Sequence, residues 1–372
     1  MGRSFGIGKI FGFPVRVDFS WFLGFILFSV LLSTSFLPSA YRDWDAFHHW
    51  IVGVTIILLL FGSVLVHELA HSLVSRKKGI PVKSITLFIF GGMAQIDKEA
   101  SQPKTELLIS IAGPASSLLL AGIFYGLAYM CKDWNVYMFA LTGYLSYVNL
   151  ILAAFNMIPG FPLDGGRVLR AVIWMTTGNY SRATRISTTA GSAISIMMIA
   201  AGVLIFFLWG YFSGIWLVFI GFILNSAARA GYQQTALRDS LKGFTAQDVM
   251  IRDAPHIARY VNLMDLVEGA FVRSPHNLYL VTDSDEVAGI LTLWQIRKVP
   301  QRQWSLTTVA HIMTPVEQMQ TVRPTDEASS VLEKFAKGQD EALSVSIDGK
   351  VAGIITRQGL FDFARRLQIL KG

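Results

Sequence analysis

The chain has 372 residues, 52% of them hydrophobic and only 15% charged, with a mean hydropathy of +0.47. Soluble domains carry about a quarter charged residues, so this balance excludes an ordinary globular chain and points to a lipid bilayer. The net charge of +7 does not mark a nucleic-acid binder, because the basic residues cluster beside apolar runs, as at Arg76-Lys77-Lys78 and Arg182 to Arg185.

The N-terminal M-G-R-S-F-G-I-G-K lacks a cleavable signal pattern, so the first apolar run is expected to stay as an anchor. A helix needs about 20 apolar residues to cross the hydrocarbon core. Runs at 17–38, 50–74, 106–131, 135–158, 189–210 and 213–230 meet that need, giving an expected six spans. Arg3, Lys9 and Arg16 precede the first; Arg76, Lys77, Lys78, Lys83, Lys98 and Lys104 follow the second; Arg167, Arg170, Arg182 and Arg185 follow the fourth; Arg229 and Arg238 follow the sixth. The opposite loops hold only Arg42 and Lys132. By the positive-inside rule both termini are expected in the cytoplasm. Cys131 is the single cysteine, which rules out an internal disulfide and a thiolate metal site.

Two segments between spans are more than loops. S-I-T-L-F-I-F-G-G-M-A-Q-I (84–96) is β-branched, aromatic and too short to span, so it reads as a hairpin or extended strand near the membrane surface. N-M-I-P-G-F-P-L-D-G-G-R (156–167) is broken by prolines and glycines, and broken backbone at membrane depth is tolerated only against protein or a wet cavity.

From Lys242 the charges return and no run is long enough to span. Here the chain repeats itself: D-V-M at 248–250 returns as H-I-M at 311–313, and V-A-G-I-L-T at 287–292 as V-A-G-I-I-T at 351–356. Each unit has a helical middle (Leu263 to Phe271, then Ala328 to Phe335), a strand pair and a closing helix. The expected divisions are a membrane domain at 1–231, a linker at 232–243, and repeats at 244–303 and 304–372.

Chemistry concentrates in V-L-V-H-E-L-A-H-S-L-V (64–74). His67 and His71, four apart, share one helix face about a turn apart, close enough to hold one tetrahedral ion. In such H-E-x-x-H runs the two histidines bind zinc and the glutamate, here Glu68, is the general base. The same five residues arise by chance on solvated helices, but ionisable groups inside an apolar span are costly and rarely incidental. His67 stands nine residues before Arg76, so the site is roughly 14 Å inside the membrane and requires a polar route from the cytoplasm. A catalytic zinc site wants a third protein ligand. Asp164, on the broken segment, is the candidate; an ion pair with Arg167 is the alternative explanation for its carboxylate. His48 and His49 belong to the other end of the second span and read as interfacial residues, and His256, His276 and His311 lack metal-like spacing.

With H-E-L-A-H at 67–71, F-G-G-M-A at 90–94, A-G-P-A at 112–115 and N-M-I-P-G-F-P-L-D-G-G-R at 156–167, the first 230 or so residues resemble the site-2 protease family of intramembrane zinc metalloproteases. The resemblance implies His67, His71 and Asp164 as zinc ligands and Glu68 as catalytic acid/base. It implies Asn156 as a residue that faces the site and holds substrate or oxyanion, with Gly91 and Gly92 bordering the substrate path. The tail, about 244–370, resembles a tandem pair of CBS domains. That likeness implies adenine-nucleotide binding at Thr292 and Thr356, yet the aspartate expected three residues on to hold a ribose is Gln295 in one repeat and Gly359 in the other. A dimerisation or docking platform therefore stays open beside nucleotide sensing.

The expected protein is thus a polytopic α-helical membrane domain, with a short membrane-associated β segment, followed by an α/β tandem CBS module. Its expected activity is zinc-dependent cleavage of transmembrane segments in a prokaryotic plasma membrane. Implied substrates are a tethered transcription or sigma factor, an anti-sigma factor or a signal peptide; a homodimer through the tail is a further expectation. The rival reading is a CBS-regulated metal transporter or channel, against which Glu68 weighs, because transport needs ligands but no base.

Overall fold

The structure is a computed structural model that describes residues 4–89, 91–96, 100–211, 213–252, 254–271, 278–283, 286–338, 340–347 and 350–371. Arg3, Phe90, Lys98 and His276 lie outside these residues. The chain divides into two units, Met1–Gln233 and Gln234–Gly372.

The first unit opens with a hairpin, β1 (Ser4–Ile10) and β2 (Phe13–Asp18). Asp18 then caps α1 (Phe19–Leu31), accepting the Ser20 N–H at 2.9 Å. A π-turn at Leu32–Phe36 leads into the short α2 (Leu37–Ala40). The long α3 (Ala46–Lys77) starts at the Asp45 cap, which accepts the His48 N–H at 2.9 Å. It ends on Arg76 and Lys77, after which Gly79 turns the chain at φ +77°. At 32 residues α3 is about 48 Å long, more than a hydrocarbon core requires.

Next come β3 (Val82–Phe88), β4 (Gly91–Ile96), α4 (Pro103–Cys131), α5 (Val136–Asn156), α6 (Asp164–Thr177), α7 (Tyr180–Trp209) and α8 (Ser213–Ser240). Six helices, Phe19–Ala40, Ala46–Lys77, Pro103–Cys131, Val136–Asn156, Tyr180–Trp209 and Ser213–Ser240, are long and apolar enough to cross a membrane.

The 84–96 segment forms the β3–β4 hairpin within a four-stranded sheet of order β1-β2-β3-β4, with β2 and β3 parallel. Sequence reading missed β1 and β2. Their signal was present in the alternation of F-P-V-R-V-D, where Phe13, Val15 and Val17 are buried and Arg16 is exposed. Phe13 and Ile85 pack on Leu69, with Leu65 and Leu73 one turn either side on the same face of α3. That packing lays the sheet along the helix that carries H-E-L-A-H.

The second unit contains α9 (Ala246–Val249), β5 (His256–Ala258), α10 (Leu263–Asp265, continuing as a π-turn to Phe271), β6 (Leu278–Asp283), β7 (Glu286–Thr292) and α11 (Leu293–Arg297). These are followed by α12 (Val309–Ile312), β8 (Thr314–Pro315), β9 (Thr321–Val322), α13 (Ala328–Lys337), β10 (Ala342–Ile347), β11 (Lys350–Thr356) and α14 (Arg357–Lys371). The two sheets run β5-β6-β7-β8 and β11-β10-β9. The repeat extends to backbone irregularities: the β6–β7 register shifts between Val281 and Thr282, and the β10–β11 register between Val345 and Ser346.

The cores are interleaved along the sequence. Leu241 of the linker, with Ala246 and Val249 at the start of the first repeat, is buried with Val331, Phe335 and Leu343 of the second. Ala246 donates to Asp326 O at 2.8 Å, and Ile251 exchanges backbone bonds with Ile354. Conversely, Val309 and Trp304, beyond residue 303, pack with Leu263, Tyr279 and Leu291. Each core thus borrows the segment that leads into the other repeat.

Candidate metal centre

α3 presents His67 and His71 inward, 4% and 5% exposed. Their outer ring nitrogens are fixed by α4. His71 Nδ1 lies 2.6 Å from Ile109 O, and His67 Nδ1 lies 2.9 Å from Ser117 Oγ. A carbonyl only accepts, so the neutral His71 ring carries its proton on Nδ1 and turns the Nε2 lone pair inward. Between Ile109 and Ser117, at helical spacing from both, is Gly113. A side chain there would overlap Nε2 of both histidines. The next residue, Pro114, lacks the N–H that would continue the helical ladder. Glycine and proline together let bare backbone come up against the two rings.

Asp164 is delivered by the turn between α5 and α6. Gly165 and Gly166 lie so close to Met157 and to the Gly160–Phe161 backbone that a Cβ on either would overlap it. α7 braces the same turn: Phe161 donates its N–H to Ser187 O at 3.2 Å, and Ser187 Oγ donates to Gly166 O. So held, Asp164 Oδ2 lies 3.1 Å from His67 Nε2 and 3.2 Å from His71 Nε2, while the two Nε2 atoms are 3.2 Å apart. Among the described residues Asp164 forms no ion pair with Arg167.

This triangle is what a metal ion would require. The bare His71 Nε2 and the Asp164 oxygen in contact repel one another unless a proton or a metal cation lies between them. A tetrahedral ion with bonds of about 2.0–2.1 Å sets its ligand atoms about 3.3–3.4 Å apart, within a few tenths of the observed edges. His67, His71 and Asp164 are also the described group of His, Cys, Asp and Glu residues that could hold a metal.

Glu68 projects from the same turn of α3 toward the sheet, where Ala94 of β4 donates its N–H to Oε2 at 3.2 Å. A Cβ on Gly92 would overlap Glu68 Cγ, so that strand approaches the carboxylate with backbone alone. Gly91, at a positive φ of +139° that favours glycine, begins β4. Asn156 is the last residue of α5, and its Nδ2 donates to Leu152 O at 3.0 Å.

Among the described residues, the remaining histidines stand elsewhere. His48 meets Asp45 Oδ1 at 2.5 Å and stacks on Tyr137, and His49 Nε2 contacts Tyr41 O at 2.9 Å, all at the opposite end of α3. His311 Nδ1 contacts Thr308 Oγ1 at 2.7 Å, and His256 is exposed on β5.

Sequence reading gave no site role to Ile109, Ser117 or Glu106, used Gly113 only within the A-G-P-A motif, and used Arg170 only as a topology-setting charge. The spacing 109, 113, 117 was a usable signal, since it marks one helix face carrying a glycine and a hydroxyl in an otherwise oily span.

The profile of Peptidase family M50 matches residues 55–133 and 132–198, which hold all three converging residues and Glu68. Rip3 of Mycobacterium tuberculosis, a relative named as a zinc metalloprotease, is 33% identical over 376 residues, covering 100% of this chain and 94% of its own length. The chain belongs to Peptidase family M50. It is a metallopeptidase and an integral membrane protein. A solved site-2 protease from Methanocaldococcus jannaschii is 30% identical, with 62% of this chain and 95% of that one covered at a TM-score of 0.42. The ATP-bound CBS domain of a bacterial CNNM/CorC-family Mg2+ transporter is 18% identical, covering 36% of this chain and 97% of that one at a TM-score of 0.30.

Proposed function

We propose that this M50 peptidase holds one zinc ion on His67, His71 and Asp164 and cuts membrane-anchored proteins within or beside their transmembrane segments. The observation that carries the reading is the 3.1–3.2 Å triangle of inward-facing ligand atoms with Glu68 on the adjacent residue. The name of Rip3 supports zinc as the ion. Zinc, when bound, supplies Lewis acidity toward a water molecule and a peptide carbonyl.

Glu68 takes a proton from the attacking water as its oxygen bonds to the scissile carbon. It returns that proton to the amide nitrogen as the C–N bond breaks. Asn156 supplies a hydrogen bond to the developing oxyanion once its amide leaves Leu152 O. The β4 edge at Gly91 and Gly92 receives the unwound substrate as an added strand, beside Glu68. A substrate helix hides its carbonyls in its own ladder, so helix-breaking residues near the cut lower the cost of presenting them.

By the positive-inside rule the termini, and with them the tail, face the cytoplasm of a prokaryotic plasma membrane. Substrates of the expected class are tethered transcription or sigma factors, anti-sigma factors and signal peptides. The tail acts as a CBS-type regulatory module, with a homodimer as its assembled form. A cavity of about 190 Å³ lined by Thr292, Trp294, Gln295, Thr314, Asp340 and Glu341 is the place for an adenine nucleotide. Both threonine hydroxyls have partners that a nucleotide would replace: Thr292 Oγ1 donates to Gln295 Oε1 at 3.0 Å, and Thr356 Oγ1 accepts the Gly359 N–H at 3.0 Å. Titration of the purified chain with ATP and AMP tests this, and flat traces remove the sensing role.

The decisive experiment co-expresses the chain with a panel of membrane-anchored substrates and compares wild type with Glu68→Gln. Cleavage by wild type alone, from protein carrying one zinc per chain, supports the reading. Inert wild type whose histidines instead carry metal flux overturns it in favour of transport.

A further inference from the structure

One buried ion pair stands behind the metal centre and touches none of its converging atoms. Glu106 is on α4, three residues before Ile109; Arg170 is on α6, six residues after Asp164. Arg170 donates from Nε to Glu106 Oε1 at 2.7 Å and from Nη2 to the same oxygen. The two residues are 1% and 5% exposed, respectively. The guanidinium lies 5.6 Å from the ring centre of Phe161 and 5.0 Å from that of Tyr180. Phe161 belongs to the turn that delivers Asp164, and Tyr180 opens α7, which braces that turn.

A buried charge pair is an expensive way to join two helices, since apolar side chains of similar volume join them at equal or lower cost. What apolar contact lacks is direction. A forked guanidinium, hydrogen-bonded to a carboxylate and held between two rings, fixes both the rotation and the axial height of the helix that bears it. We propose that Glu106–Arg170 is a positioning pair for Asp164, locking α6 to α4 so that the carboxylate meets the two histidines. α4 then serves as the common reference for all three ligands. Ile109 O orients His71, Ser117 Oγ orients His67, and Glu106 sets Asp164 through Arg170. Metal sites tolerate displacements of only about 0.5 Å, so a small slide of α6 is enough to open the triangle. The inference rests on the metal centre proposed above.

The test uses purified full-length protein in nanodiscs, with Zn2+ affinity by competition with a chelator, the visible spectrum of the Co2+-loaded form, and the melting temperature. Glu106→Met/Arg170→Met removes both charges and leaves neither unpaired. The expected result is a melting temperature at or above wild type, Zn2+ affinity lower by about 10- to 100-fold, and a weakened tetrahedral Co2+ absorption. A double variant that melts like wild type and keeps its Zn2+ affinity and Co2+ spectrum overturns the positioning role. Arg170→Lys, which keeps the charge and loses the fork, serves where the apolar pair does not fold; its expected affinity is about tenfold lower, and unchanged affinity again overturns the proposal. Wild type that binds neither ion overturns the metal centre itself, and the positioning role with it.

Discussion

Ala94 donates its backbone N–H to Glu68 Oε2 across 3.2 Å, which joins the edge strand β4 to the carboxylate beside the two histidines. The strand and the acid are separated by 26 residues in sequence and meet because Leu69, one residue past Glu68, is packed under Phe13 and Ile85 of the sheet. The sheet thereby brings the backbone of its edge strand against the Glu68 carboxylate.

Proline at Ala94 removes that N–H and disturbs β4 without touching the His–His–Asp triangle. The expected outcome is zinc content equal to wild type with cleavage of a co-expressed membrane substrate reduced by at least about tenfold. Unchanged cleavage in immunoblots of membrane fractions would argue against substrate addition on this edge.

Glu68→Gln keeps the side chain's size and removes its capacity to accept a proton. Zinc stoichiometry is expected to stay at the wild-type value while turnover falls by about 10²- to 10⁴-fold, the range for a lost general base. Metal analysis run beside a cleavage assay separates this from loss of the ion.

Gly113→Ala adds one methyl where the two Nε2 atoms point. Because the overlap is with imidazoles anchored at their far side by Ile109 O and Ser117 Oγ, the rings have little freedom to yield. Purified variant protein should carry less than about a tenth of the wild-type metal, with helix content by circular dichroism unchanged. Full metal occupancy would place the ion elsewhere. Ser117→Ala, a milder change to the same face, should lower zinc affinity by about 10- to 100-fold.

The interleaved tail makes a prediction about folding. A fragment limited to the first repeat, 244–303, lacks Val309, which is fully buried in that repeat's core. It is therefore expected to stay unfolded, whereas 234–372, which holds both borrowed segments, should unfold in one cooperative transition. Circular dichroism melts of the two fragments decide this, and a cooperative melt of 244–303 alone would contradict the interleaving.

Much of this protein could be read one residue at a time. Six apolar runs give six spanning helices, because a helix in lipid satisfies its own backbone and needs only length and hydropathy. The pairing of His67 with His71 follows from helical period alone, and the tail's repeat was visible in its recurring V-A-G-I motif. These features are local, and local physics dictates them.

What sequence could not decide is which distant parts meet. Asp164 was a candidate ligand with Arg167 as the alternative partner; only the glycine-tight turn braced by α7 directs it to the histidines 93 and 97 residues earlier. The parallel pairing of β2 with β3, the Ala94–Glu68 bond and the exchanged tail cores are likewise pairings between distant segments. So is the role of α4, whose Ile109 carbonyl, Gly113 backbone and Ser117 hydroxyl acquire meaning only when α3 lies against them. A sequence fixes each segment's periodicity and composition, but the closing of long loops depends on which faces bury one another, and that choice belongs to the packed molecule as a whole.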